Sequence, residues 1–428
     1  MKIKLDYGEN GIEININGKN LLDVVESRAV SAIVNPEQKL RQSMRKPIGS
    51  LPLEEKVKGK NNICIVISDI TRAVPTKLIL EVLLDELSSY GIGKESITIL
   101  IATGLHRPNE GSELEGLVGK EIRENYRIVN HNARDRQSCR LIGKTDRGTP
   151  IILNRLYLDS DFKILTGLIE PHFMAGFSGG RKSICPGISY MDMFKHFHGP
   201  EVLESPDASN AVLKGNPFHE ESTEIAKKAG VDFIINVTIN KNKEVTGIFS
   251  GDLEKAYYRG TEFCLKFSKC SISREADIVI TSGGGLPLDA TLYQAVKGMV
   301  GAIPAVKKGG MIIIASQCRE EIGSPEFVQL ITQERDMDKF IKKIYRKDYF
   351  KIDQWELEEL AKARRKAEIY LYSEYIDKNK YDIPTSTLKI VGSIQGAVNV
   401  GLQKYGQDAK ITVIPEGPYV IPTLNLSH

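Results

Sequence analysis

Residues 62–68, NICIVIS, are apolar at every central position instead of at alternate ones, and the run stops at Asp69. A strand of that kind is covered on both faces, which is the habit of parallel sheets. Residues 76–90, TKLILEVLLDELSSY, follow with Leu78, Leu80, Val82, Leu83 and Leu87 at helical spacing, and SITILIA at 96–102 is a second buried run. Strand, helix, strand in that order predicts a parallel pair joined by a right-handed crossover. Further strand runs lie at 126–130, 150–157 and 162–168. Residues 232–249 read as a hairpin turning at Asn240 to Asn242, and Asp252 caps a helix reaching about Phe267.

The alternation then restarts. ADIVITSGGG (276–285) is a strand entering a glycine turn, 290–307 is helical, and GGMIIIAS (309–316) is another buried strand. A charged helical region, 323–380, interrupts it before strands at 386–394 and 409–415 flank a helix near 396–405. The expected fold is α/β. It has two domains, 1–270 and 271–428, each with a mostly parallel sheet flanked by helices, and an active site in the cleft between them. At 428 residues the chain is too long for one ordinary core, which agrees with two.

Charge and cysteine use narrow the function classes. With 58 basic against 55 acidic residues the net charge is +3, which argues against a polyanion-binding surface and so against nucleic acid as a partner. No run approaches the roughly 20 apolar residues of a membrane span, and MKIKLDYGEN lacks the apolar centre of a signal peptide. The six cysteines are scattered without a CxxC pair, which suits reduced thiols in the cytoplasm, with Cys64 and Cys185 as small core residues.

Ligands of open parallel sheets bind beyond the carboxyl ends of the strands. Four unusual stretches fall there: SDITRAVP (68–75), ATGLHRP (102–108), TGLIEPH (166–172) and SGGGLPLDATLYQAVKGM (282–299). Each also has an ordinary reading. Asp69 and Arg72 can form a loop ion pair or a helix cap. His106 can be a loop histidine, and Gln294 with Lys297 can share a solvated helix face. In MFKHFHGP, His196 and His198 would face opposite sides of a strand-like segment, so that at most one lines a site. His131, His219 and His428 stand in no motif.

The stretch EPHFMAGFSGGRKSICPG, 170–187, resists an ordinary reading. Gly176 to Ser183 fits the phosphate-loop pattern except that Arg181 replaces its second glycine. A side chain there crowds the tight cradle, which disfavours a P-loop NTPase. Gly179 and Gly180 beside Arg181 and Lys182 still suit an anion such as a mononucleotide phosphate. His172 nearby points to acid–base or metal chemistry.

Taken together, SDITRAVP, ATGLHRP, EPHFMAGFSGGRKSICPG, the histidine at 198 and PLDATLYQAVKGM resemble the nickel-pincer lactate racemase family, in order and in spacing, from about residue 60 to 360. The resemblance implies an isomerase of 2-hydroxy acids. Its cofactor would be nickel held by pyridinium-3,5-bisthiocarboxylic acid mononucleotide, the nickel-pincer nucleotide, made by dedicated biosynthetic enzymes. Carried over, Lys182 is the covalent tether, His198 the nickel ligand, and His106 and His172 the paired acid–base groups. Asp69, Arg72, Gly179, Gly180 and Arg181 would hold the cofactor, with Arg72 also against the substrate. Gln294 and Lys297 would hold the substrate carboxylate, with Tyr293 and Trp355 lining the pocket.

Lactate is the expected substrate, with malate, other larger 2-hydroxy acids and sugar acids as alternatives. Met174 and Phe177 are candidates for the wall facing the C3 group. Two readings of another class stand beside this one. A non-catalytic binder of nicotinate-type mononucleotides needs the glycine loop, Arg72 and Lys182 but not both histidines. A hydrolytic zinc centre would use His106, His172 and His198.

Overall fold

A computed structural model describes residues 1–424; His428 lies outside them. The first six-stranded sheet runs in the order Val245–Gly251, Phe233–Ile239, Phe162–Leu168, Ile63–Ser68, Ile97–Ala102, Arg127–Asn130. All neighbours pair in parallel except the hairpin edge Val245–Gly251. The chain order reverses between Ile63–Ser68 and Phe162–Leu168, so the loops that leave these two strands diverge and open a crevice at their carboxyl ends. Asp69 leaves one strand there and Glu170-Pro-His172 the other.

The second sheet is parallel throughout: Lys389–Val391, Ala367–Tyr372, Val306–Ala315, Ala276–Ser282, Ile411–Ile414, Leu21–Val24. Both sheets are covered on both faces, as the unbroken apolar runs predict. Ile63 to Ile67 and Ile278 to Ile280 are fully buried between helices.

Three expectations need correction. Leu21–Val24 pairs with Ile411–Ile414, and Ile3, Leu5, Ile14 and Ile16 pack with Ile278 and Ile313. The first 25 residues of the expected 1–270 unit therefore lie with the second sheet. LLDV is a four-residue edge strand with an aspartate in it, too short to show where it docks. Within 323–380 the helices Pro325–Gln333, Met337–Ile344 and Gln354–Lys366 are followed by a sheet strand, Ala367–Tyr372. Its short run AEIYLY follows directly on the basic end RRK of the last helix, which suits a helix C-terminus and conceals the change of period. Finally, the expected strand run 150–157 divides: Pro150–Asn154 forms an antiparallel ribbon with Cys139–Lys144, and Arg155–Leu158 is a helical turn.

Helix Gln354–Lys366 joins the two halves. Leu357, Leu360 and Ala363 belong to the core around the second sheet, whereas Trp355 packs among first-sheet residues. Lys362 donates to the Leu203 carbonyl, and Arg365 meets Glu204 at 2.8 Å. All six cysteines are buried and unpaired, Cys64 and Cys185 with no exposed surface. Among the described residues no helix is long and apolar enough to cross a membrane.

Candidate active site

A cavity of about 890 Å³ opens at the carboxyl ends of both sheets. The loops after three first-sheet strands supply one wall, with Asp69, Arg72, His106, His172, Gly179, Lys182 and His198. Tyr293, Gln294, Lys297, Asp353, Trp355 and Glu356 supply the other. Eleven of the thirteen residues assigned a site role from the sequence thus line one space. The two that do not are Gly180 and Arg181.

Asp69 and His106 form a pair, 2.6 Å from Oδ2 to the ring Nδ1. Burial pushes the Asp69 carboxyl up, but His106, Arg72 and the Thr71 hydroxyl outweigh it and hold the carboxyl below its usual range. As a carboxylate it accepts the Nδ1 proton, which leaves His106 Nε2 with a bare lone pair. His172 is arranged the other way. The backbone N–H groups of Met174 and Ala175 both donate to its Nδ1 at 3.3 Å, so the ring proton of the neutral form sits on Nε2. Burial, then the charges of Lys182, Lys297, Arg72 and Arg181, drive its pKa well below the ordinary histidine value. His172 is neutral at neutral pH.

The glycine loop is tight for a reason visible at Gly179. Its φ is +78°, and a Cβ there would lie 2.5 Å from Asn236 Oδ1 and 3.0 Å from the Leu168 carbonyl oxygen. Gly180 donates its N–H to the same Asn236 oxygen, turned into the protein. Arg181 corrects the sequence reading. It is 1% exposed and directed away from the cavity, donating to the carbonyls of Ala175, Phe177 and Gly179 and to the Tyr257 hydroxyl. Its guanidinium ties the loop together from beneath, work that a phosphate loop gives to backbone alone, and it does not line the cavity. Lys182 takes the opposite direction. Its ammonium lies 4.8 Å from the Phe218 ring at the cavity wall, and burial, followed by Arg181, Arg72 and Lys297, pushes its pKa far down.

His198 terminates the short helix Phe194–Phe197, not a strand-like segment; His196 is exposed and His198 is buried. The His198 ring lies 4.9 Å from Trp355 and stacks on Phe194 at 5.2 Å. Its buried Nδ1 has no hydrogen-bond partner among the described residues. His131 also reaches the cavity, but Asn154 donates to its Nδ1 and its Nε2 meets the Ser189 carbonyl, so both nitrogens are spent.

On the second wall, Gln294 and Lys297 lie on one face of helix Leu292–Gly301, with Lys297 Nζ donating to Gln294 Oε1 at 2.5 Å. The Trp355 indole N–H donates to the Tyr293 hydroxyl at 2.8 Å, and on the same wall the buried Asp353 carboxylate accepts from the Ser324 hydroxyl. Met174 lines the cavity; Phe177 is fully buried outside it and is a packing residue. The three histidines expected of a hydrolytic zinc centre are not gathered for one: among the described residues no set of three or more His, Cys, Asp or Glu side chains is placed to hold a metal.

Comparison with known proteins decides the family. Residues 7–211 match the model of the lactate racemase N-terminal domain and 272–422 that of the C-terminal domain. The lactate racemases of Thermoanaerobacterium thermosaccharolyticum and Lactiplantibacillus plantarum are each 34% identical over 423 residues, 98% of this chain and 98% and 99% of theirs. The chain belongs to the lactate racemase family. The structure of the T. thermosaccharolyticum lactate racemase apoprotein superposes with a TM-score of 0.91 at 33% identity, covering 99% of this chain and all of that one. A Thermotoga maritima protein, 20% identical with a TM-score of 0.72 over 93% of this chain, shares the fold.

Family membership implies a nickel-dependent cofactor, and the residues present fit one. His198 offers an orphaned ring nitrogen beside the cavity, and Gly179 forms a cradle that any side chain would fill. The residues that sequence reading missed are Asp353 and Glu356. Both stand in DQWELEEL, which looks like the start of a solvated charged helix. The one signal was Trp355, the only tryptophan of the chain, whose helix had to face inward.

Proposed function

We propose that this protein interconverts D- and L-lactate by moving the C2 hydrogen as hydride while a histidine moves the hydroxyl proton. The observation that carries the reading is the pair His106 and His172 on one cavity with Lys297 and Gln294 opposite. The α-hydrogen of a 2-hydroxy acid is a poor acid, and loss of hydride and hydroxyl proton together gives a 2-oxo acid with the substrate's own single negative charge instead of a dianion. The chemistry that the bound nickel-pincer nucleotide supplies is a reversible sink for that hydride. Arg72 and Lys297 hold the substrate carboxylate, with Gln294 fixing the lysine by accepting one of its three protons.

His106 takes the hydroxyl proton at its bare Nε2, and Asp69 stabilises the imidazolium that results. His172 serves the other enantiomer. To accept at Nε2 its ring proton has to move to Nδ1, which gives up two hydrogen bonds that at 3.3 Å are long and weak. Lys182, with its depressed pKa, presents the amine lone pair that a thioamide tether requires. The two walls exclude water from the ketone.

The test is metal content and intact mass on protein purified from a host that makes the cofactor, followed by polarimetry with L-lactate. Expected are about one nickel per chain, added mass that survives denaturation, and decay of rotation to zero. Nickel without added mass would reduce Lys182 to a phosphate contact. Zinc, or an ordinary nucleotide without nickel, would sink the racemase reading.

A further inference from the structure

Glu356, on the first turn of helix Gln354–Lys366, lines the cavity beside Trp355 and is 2% exposed. Its Oε1 has no hydrogen-bond partner among the described residues. A buried carboxyl oxygen is costly to leave unpaired, so its placement on a ligand cavity calls for a partner there. On the same wall stands Lys297, whose ammonium has three donors and gives one to Gln294. We propose that Glu356 is a positioning residue for Lys297: its carboxylate keeps the lysine ammonium charged in the desolvated cavity, ready for the carboxylate of a 2-hydroxy acid. This rests on the reading of Lys297 as a substrate clamp.

The charges around the pair give this content. Burial first and Arg72 second bring Lys297 down to about 7, against Glu356, Glu170 and Asp69, which raise it, Glu356 first among them. Glu356 itself is raised well above the usual carboxyl range, by burial first and by Glu359 and Asp353, with Lys297 and Arg72 opposing. Lys297 and Arg72 are thus the groups that favour the ionised form of Glu356. Without Glu356 the lysine faces Arg72 and low dielectric with only Glu170 and Asp69 to compensate, and it becomes neutral at a lower pH. A neutral lysine holds a carboxylate poorly.

Trp355 makes this measurable without relying on turnover, because it is the only tryptophan and it lines the cavity. Racemic lactate, which gives no net reaction, is titrated against the loaded full-length protein between about pH 6 and 9, with Trp355 fluorescence reporting the Kd. The wild-type Kd is expected to rise above about pH 7. In Glu356→Gln, which keeps the shape and removes the charge, the rise begins at least about one unit lower, so that Kd near pH 8 grows about tenfold or more while Kd near pH 6 changes much less.

In a Lys297→Arg background, where the cation cannot lose its proton, the alkaline rise disappears and adding Glu356→Gln no longer shifts anything. An equal change in Kd at every pH in Glu356→Gln, or a shift that persists in the arginine background, overturns the role given to Glu356 and leaves the racemase reading intact. Failure of the wild-type protein to bind lactate at all overturns both.

Discussion

The two walls of the cavity satisfy their polar groups in different ways. On the first-sheet wall His106 and His172 each have one ring nitrogen engaged by protein and one left over, His106 through Asp69 and His172 through two backbone amides, and His198 keeps its Nδ1 free. On the second wall the polar groups other than Glu356 are tied to protein neighbours, Trp355 to Tyr293, Ser324 to Asp353 and Lys297 to Gln294. The first arrangement leaves lone pairs and protons free to exchange with a ligand; the second fixes orientation. On the proposed reading, proton and metal chemistry belongs to the first wall, and the second wall, together with Arg72 of the first, holds the substrate.

The sharpest way to break this comparison is to remove histidines singly. His198→Ala should release nickel and with it all racemisation, measured as metal per chain. His172→Ala should keep the nickel and lower kcat by at least about 10²–10⁴-fold, the usual worth of a positioned acid–base group. Nickel lost equally from both variants would merge the two roles. Because burial and neighbouring cations hold the His172 pKa down, the imidazole stays neutral as pH falls below the ordinary histidine value. Any acid limb of kcat that belongs to it should therefore lie well below pH 6.5.

Asp69→Asn sharpens the contrast between the two histidines. An amide that donates to His106 Nδ1 forces the ring proton onto Nε2 and removes the lone pair the base needs. The expected loss in kcat is about 10²–10⁴-fold with nickel retained. Since enantiomers have equal free energy, kcat/KM must fall by the same factor in both directions. A loss seen only in KM would mean that Asp69 holds ligand and not the histidine.

How much of each wall was legible follows from how its residues are displayed. Asp69, His106 and His172 come directly off buried strands, where an apolar run ending in a polar residue marks both the element and its functional end. Gln294 and Lys297 stand behind a glycine turn that announces a helix start. Arg181 was misread because a glycine-rich loop invites every nearby cation to face the anion, and nothing in the string distinguishes Arg181, turned inward onto Tyr257, from Lys182. Leu21–Val24 was invisible because its partner, Ile411–Ile414, lies nearly 400 residues away, and pairing is a tertiary fact. Glu356 was invisible because an inward glutamate and a solvated one look alike until the helix is docked.

A smaller effect is expected at Gly179. Gly179→Ala places a methyl against Asn236 and the Leu168 carbonyl at a positive φ that L-residues rarely adopt. It should cost about 1–3 kcal/mol of stability, read from thermal or urea unfolding. The equivalent change on the second wall, Gly323→Ala, meets nothing closer than the Tyr293 Cβ at 3.1 Å, although its φ of +119° is also left-handed. A greater loss there would contradict the claim that the first-wall loop is the tighter of the two.

The smallest effect tests whether the second wall is wired as a unit. Trp355→Phe removes the indole N–H from the Tyr293 oxygen, and Tyr293→Phe removes the oxygen itself. Each change alone should cost about 1 kcal/mol through the lost hydrogen bond. If the link acts through one bond, the double variant costs less than the sum of the two, with a coupling of about 0.5–1.5 kcal/mol in a double-mutant cycle on unfolding free energy. The two variants should differ in nickel retention as well. Trp355 lies against the His198 ring, so loss of the indole loosens the metal ligand, whereas Tyr293→Phe leaves that stack in place. Strict additivity in stability together with equal nickel retention would mean that the two walls meet at Trp355 only by packing, and that the hydroxyl chain carries nothing across.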